Sequence, residues 1–176
     1  MIQFKNKFNF PISKGDTSFF SVVDDFSDFE SIHPGNFVFY DIMQANIGSC
    51  VEAQIGIALA APVVFKNDKT LEIAVHAGGV HLSKDQIILN GKSNYGKVVR
   101  LNKNSWSESL EGCFVKSISQ EHGILSVTKD VFDSISLGDV LGILPIHSCM
   151  TADTMQAYYD LNGKQIDHLK GSYTNN

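Results

Sequence analysis

Cysteine, proline and tryptophan are scarce in these 176 residues, at three, four and one, and each scarcity narrows the possibilities. Cys50, Cys113 and Cys149 are odd in number and widely spaced, which argues for reduced thiols and against a disulfide framework. No apolar run reaches the length of a bilayer span. The opening Met1-Ile2-Gln3-Phe4-Lys5-Asn6-Lys7-Phe8 lacks the apolar core and small-residue cleavage site of a secretory leader, so a cytosolic protein is expected. Positive charge is also in deficit. Fourteen Lys and Arg against 19 Asp and Glu leave a net charge of -5, with no basic stripe, so neither nucleic acid nor an anionic membrane is an expected partner. No linker, low-complexity segment or internal repeat breaks the chain. Its apolar content of 43% is ordinary for a globular protein able to bury a sizeable core.

What is plentiful is a rhythm of short β-type runs and turns. Ser18 to Phe29 places apolar residues at Phe19, Val22, Val23 and Phe26, a spacing that predicts a short amphipathic helix. Pro34-Gly35 then marks a turn, and Phe37 to Asp41 is rich in β-formers and reads as a strand. Gln54 to Phe65 reads as a strand that Pro62 sends to an edge or a bulge. Strands are also expected over Leu71 to Val75, Gln86 to Leu89 and Lys97 to Leu101. Phe114 to Ser119 and Gly123 to Val127 form a hairpin around Gln120-Glu121-His122, and Tyr158 to Leu161 pairs with Gln165 to Leu169 across Asn162-Gly163. Many short strands with few helical windows predict a mainly β domain, a barrel or sandwich-like fold.

The stretch Gly138 to Thr151 reads as a buried apolar strand ending in His147-Ser148-Cys149. In extended chain, residues two apart share a face, so His147 and Cys149 are placed to grip one ion, and an imidazole with a thiolate suits zinc better than magnesium or calcium. The same pair also reads as a hydrogen-bonded polar side chain and a small buried hydrophobe. His76 and His81 flank a Gly-Gly turn, a placement open to an active-site approach but more often structural or solvated, and His122 reads as a hydrogen-bonded residue of a hairpin turn. A cupin-type site would want His-x-His followed by Glu, which is absent.

In their order along the chain, Gly15-Asp16-Thr17, the run His33 to Asp41, the run Ala77 to Asp85, Glu121-His122-Gly123 and Leu144 to Cys149 resemble the carboxy-terminal part of the D-serine dehydratase and D-threonine aldolase group. These are alanine racemase-like, fold type III pyridoxal-phosphate enzymes, and the resemblance runs from about Gly15 to Gly171. It implies an antiparallel D-serine dehydratase-like β-domain over 37–176, preceded in 1–36 by the last piece of a cofactor-binding (β/α)8 barrel. His147 and Cys149 become ligands of zinc or another divalent metal. Thr17, Gly35, Asn36 and Tyr40 become contacts of the pyridoxal phosphate or substrate, although the proline that usually follows Gly-Asp-Thr is replaced here by Ser18.

The activity so implied is loss of the β-hydroxyl, or Cα–Cβ cleavage, in a D-amino acid, with the metal polarising that hydroxyl. The family's Schiff-base lysine lies upstream of every motif matched here, and Lys84 does not inherit its role. The chain by itself is therefore expected to be inactive, with pyridoxal phosphate and the D-amino acid bound only in a complete enzyme. A missing barrel domain, a second subunit or a homo-oligomer is the expected partner. The other reading is a non-catalytic β-module that binds a metal or a partner chain.

Overall fold

The structure is a computed structural model describing residues 7, 8 and 10–167. Residues 1–6, Asn9 and residues 168–176, with them His168 and Leu169 of the expected last strand, lie outside the described residues. The chain folds around a closed barrel of six antiparallel strands. Outside it lie the pairs β1 (Ser13–Lys14) with β2 (Ser31–Ile32) and β5 (Ile87–Leu89) with β6 (Lys92–Asn94); the barrel strands are β3 (Leu59–Asn67), β4 (Glu72–Val75), β7 (Gly96–Arg100), β8 (Phe114–Ile118), β9 (Gly123–Ser126) and β10 (Val140–Pro145). Around the barrel their order is β10-β3-β4-β9-β8-β7, and β7 pairs back onto β10. Closure leaves none of the six with an unpaired edge.

Alternation explains the barrel. Leu59, Ala61, Val63, Ile73, Val75, Val98, Val115, Leu125, Leu141 and Ile143 fill its interior and are almost fully buried. Their neighbours one residue along point outward. On most strands those positions are polar or exposed, but Val99, Leu144 and Ile146 pack into a second apolar cluster with Ile42 and Ile55. That outer cluster is why β10 reads as an unbroken apolar run instead of an alternating one. Gly142 is required where it stands: a Cβ there would come within 2.5 Å of Val99 Cγ2 and 2.8 Å of Leu101 Cδ2.

Several expectations hold and several need correction. The strands at 72–75, 87–89 and 96–100 and both hairpins form. Pro62 sits in a barrel strand, not an edge, at an outward position opposite Val140, and the irregularity expected from it follows at Val63/Phe65. This strand starts at Leu59, because Glu52–Gln54 is a 3-10 turn. The amino-terminal helix α1 is shorter than its apolar spacing suggested, spanning Thr17–Val22 under an Asp16 cap. Beyond it Phe26 and Phe29 fold back onto Phe19 and Phe20 of the helix, Phe19 meeting the other three edge to face and Phe20 meeting Phe26 at a tilt.

Two corrections matter for the site. Phe37 to Asp41 is not a strand but a turn, running into the helix α2 (Ile42–Asn46), which Asp41 caps. The extended run from Gly138 stops at Pro145; His147 caps a helix, α5, over Ser148–Met155. Cys149 therefore lies in the first turn of a helix, and the extended-chain geometry predicted for His147 and Cys149 does not occur. Two short helices lie between these, α3 (Gly79–Leu82) and α4 (Lys129–Asp133).

Candidate functional site

Two chain segments far apart in sequence meet beside the outer cluster, where α2 and α5 begin. The amide N–H of Met43 donates to the carbonyl of Ile146 at 3.3 Å, which sets the first turn of α2 against the residue that follows β10. Their shared polar group is Asp41, only 2% exposed. Its Oδ1 caps α2 by accepting from the Gln44 amide at 2.8 Å. Its Oδ2 accepts from the Ser148 amide at 3.1 Å and from Asn36 Nδ2. One buried carboxylate thus satisfies amides at the starts of two helices and one side-chain amide.

Asn36, also buried, ties this group to the residues expected to hold the cofactor. Its backbone N–H donates to Thr17 Oγ1 at 2.7 Å, and its side-chain carbonyl faces Cys149 Sγ at 3.4 Å. Gly35 stands beside Thr17: a Cβ on it would lie 3.7 Å from Thr17 Oγ1, an ordinary contact. Tyr40 adopts a left-handed conformation, φ 49°, that a bulky residue takes only where its surroundings enforce it. Here its carbonyl accepts from the Ser148 hydroxyl, and its Oη lies 3.1 Å from Ser21 Oγ. Thr17, Gly35, Asn36, Tyr40 and Cys149 are thereby brought into one connected network.

His147 is held separately. Its Nδ1 lies 2.6 Å from Asp85 Oδ2, a residue that follows α3. Both ligand candidates are half-buried. Burial, and then the nearby Asp41 carboxylate, push the Cys149 thiol above the ordinary thiol range. It therefore stays protonated and can donate to Asn36 unless a cation offsets the cost of the thiolate. Thr151, one helical turn beyond His147 and 2% exposed, has a hydroxyl oxygen with no hydrogen-bond partner among the described residues. Of these groups the imidazole and the thiol are the donors chemically suited to a soft divalent ion. Among the described residues no three His, Cys, Asp or Glu side chains are grouped to hold such an ion, so two protein ligands would leave positions open.

The other histidines gather elsewhere. The rings of His76 and His81 are 4.8 Å apart and those of His76 and His122 5.6 Å apart. Close backbone docking puts them together, since a Cβ on Gly78 would lie 2.5 Å from Gln120 O. His81 Nδ1 accepts the Gly78 amide at 3.1 Å, and burial followed by His76 lowers its proton affinity. Lys84 is exposed. Sequence reasoning missed Asp41 and gave Asp85 no role; Asp41 stands 107 residues from Ser148 and Asp85 62 from His147, separations that carry no local signal. No helix among the described residues is long and apolar enough to cross a membrane.

Comparison with known proteins gives concordant results. Residues 56–161 match the family described as Putative serine dehydratase domain. The chain is 30% identical over 134 residues to D-serine dehydratase of Dictyostelium discoideum, covering 74% of this chain and 33% of that one. It is 31% identical over 138 residues to D-threo-3-hydroxyaspartate dehydratase of Delftia sp., covering 74% and 35%. An alanine racemase-like protein of Idiomarina loihiensis superposes with a TM-score of 0.76 at 27% identity, over 89% of this chain and 42% of that one. The chain thus spans about a third of the length of these curated relatives.

Proposed function

Because the chain belongs to the serine dehydratase domain family, we propose that it is the metal-bearing β-domain of a pyridoxal-phosphate-dependent lyase that acts on D-amino acids with a β-hydroxyl. The observation that carries this reading is the network in which Asn36 bonds Thr17, Asp41 and Cys149, linking the turns expected beside a cofactor to the helix that bears the metal pair. The relatives support it by name: two dehydratases of D-amino acids. The Delftia enzyme has also been solved as a histidine-to-alanine mutant and as a cysteine-to-alanine mutant in the metal-free form, and the two mutated residues are two positions apart, the spacing of His147 and Cys149.

Zinc or another divalent ion would be held by His147 and Cys149, and when bound it supplies a Lewis acid for the substrate's β-hydroxyl. This chain's own residues do the rest of the positioning. Asp41 and Ser148 fix the first turn of α5, so that Cys149 is presented at a set angle. Thr17 Oγ1 accepts the Asn36 amide, so its hydroxyl proton would serve a phosphate oxygen of the cofactor, with exposed Gly35 beside it. Asn36 acts in this arrangement by holding Thr17 and Cys149, since its amide is already bonded. Tyr40 supports the same turn through Ser21.

Residues 1–36 would be the last piece of the barrel and 37–176 the β-domain. In support, Ser13–Lys14 and Ser31–Ile32, β1 and β2, pair in parallel with α1 between them, the connectivity from which (β/α)8 barrels are built. Exposed Phe37 and Val38 favour a covering partner, whether a barrel domain, a second subunit or another copy. The test is zinc analysis of the purified chain. We expect substoichiometric zinc, removed by chelator without unfolding and lost in His147→Ala and Cys149→Ser; equal zinc in all three proteins would overturn the assignment.

A further inference from the structure

The bond between Asp85 and His147 lies outside the network centred on Asp41 and Asn36. Three features mark it as more than a chance surface pair. The separation of 2.6 Å is that of a charge-assisted hydrogen bond. The backbone of Asp85 is itself fixed, its amide donating to Ser83 Oγ at 3.2 Å, and Ser83 holds a left-handed turn at φ 66° as α3 ends. Helix α3 in turn packs on α5, the helix that His147 caps. Carboxylate and imidazole are therefore held from both sides.

An ionised carboxylate can only accept, so the hydrogen between these atoms belongs to Nδ1 of the imidazole. A neutral His147 then carries its proton on Nδ1 and its lone pair on Nε2. Resting on the metal reading above, we infer that Asp85 is a positioning residue. It locks His147 in the Nδ1–H tautomer, aims the ring, and leaves Nε2 as the nitrogen that ligates the metal. A carboxylate behind a ligating imidazole also makes it the better donor, and loss of such a partner typically weakens metal binding about 10–100-fold. The competing account is an ordinary exposed ion pair, since both side chains are more than a third exposed; it predicts no preferred tautomer and no effect on metal affinity.

The test uses the full chain with two readouts. Long-range nitrogen–proton NMR of the metal-free protein, at a pH where imidazoles are neutral, is expected to show His147 protonated on Nδ1, and to show a mixture of tautomers in Asp85→Ala. Competition against a zinc chelator is expected to show affinity about 10–100-fold weaker in Asp85→Ala than in wild type, while thermal melts stay alike. If Asp85→Ala folds poorly, Asp85→Asn serves, because it keeps the size and removes the charge. An Nε2–H tautomer in the wild type overturns the inference, as does unchanged zinc affinity in the Asp85 variants while His147→Ala abolishes binding. A wild type that binds no zinc at all overturns the metal reading and the ligand half of this inference with it, whereas the tautomer result stands apart from both.

Discussion

Strand β10 belongs to two regions built on opposite physical terms. Along Leu141 and Ile143 it lines the barrel, where aliphatic side chains exclude water and no polar side chain is needed. Just past its end, Ser148 and Cys149 enter a joint held by Asp41 and Asn36 through a few directed hydrogen bonds. Apolar packing is non-directional and spreads its stabilisation over many contacts, whereas the joint depends on single donors and acceptors with exact partners. The barrel thus sets the position of the site without specifying its chemistry. The joint fixes Cys149 through directed hydrogen bonds.

This contrast predicts a graded set of effects. The largest belongs to the barrel: Ile143→Ala should cost about 3–4 kcal/mol in denaturant unfolding, within the range of about 2–5 kcal/mol for a large aliphatic removed from a core. A cost under about 1 kcal/mol would mean that the interior is loosely packed. Next comes the joint. Asp41→Ala leaves the Gln44 and Ser148 amides and Asn36 Nδ2 without their acceptor and should cost about 2–3 kcal/mol. Asp41→Asn, which keeps an acceptor oxygen, should cost about 1 kcal/mol. Equal losses for the two variants would show that charge, not hydrogen bonding, holds the joint.

The smallest effect lies on the barrel's outer surface. Burial acts to raise the Glu52 carboxyl, but Lys97 and Ser109 outweigh it and hold it below the usual carboxylate range. A carboxyl depressed in the folded state stabilises above the unfolded value, and that contribution is lost as pH falls through the folded value. Lys97→Met should therefore flatten the acid limb of a stability-against-pH curve slightly, because the pair is largely solvent-screened. A large acid-side change would place this pair with the joint instead of the surface.

The same contrast explains what could be read from sequence. Barrel strands announce themselves because Gly123–Ser126 alternates as a half-buried sheet imposes, while Glu72–Val75 and Phe114–Ile118 are short β-forming runs bounded by turns. The joint does not. Phe37 to Asp41 has β-forming residues but is bent by the left-handed turn at Tyr40 and by the Asp41 cap. Helix α5 escapes notice because its buried face is Ser148, Thr151 and Ala152, small and polar instead of apolar. His147 and Cys149 were legible as residue types, through the His-x-Cys spacing and the resemblance. Their supports, Asp41 and Asp85, act across chain separations that no local pattern encodes.

The central claim, that His147 and Cys149 together hold a soft divalent ion at the head of α5, is tested most directly by X-ray absorption at the zinc edge. Zinc-loaded wild-type protein should show one sulfur near 2.3 Å with nitrogen and oxygen neighbours near 2.0–2.1 Å. Cys149→Ser should lose the sulfur shell, and His147→Ala should lose the imidazole scattering. A wild-type spectrum with no sulfur neighbour, or one that Cys149→Ser leaves unchanged, would contradict the account.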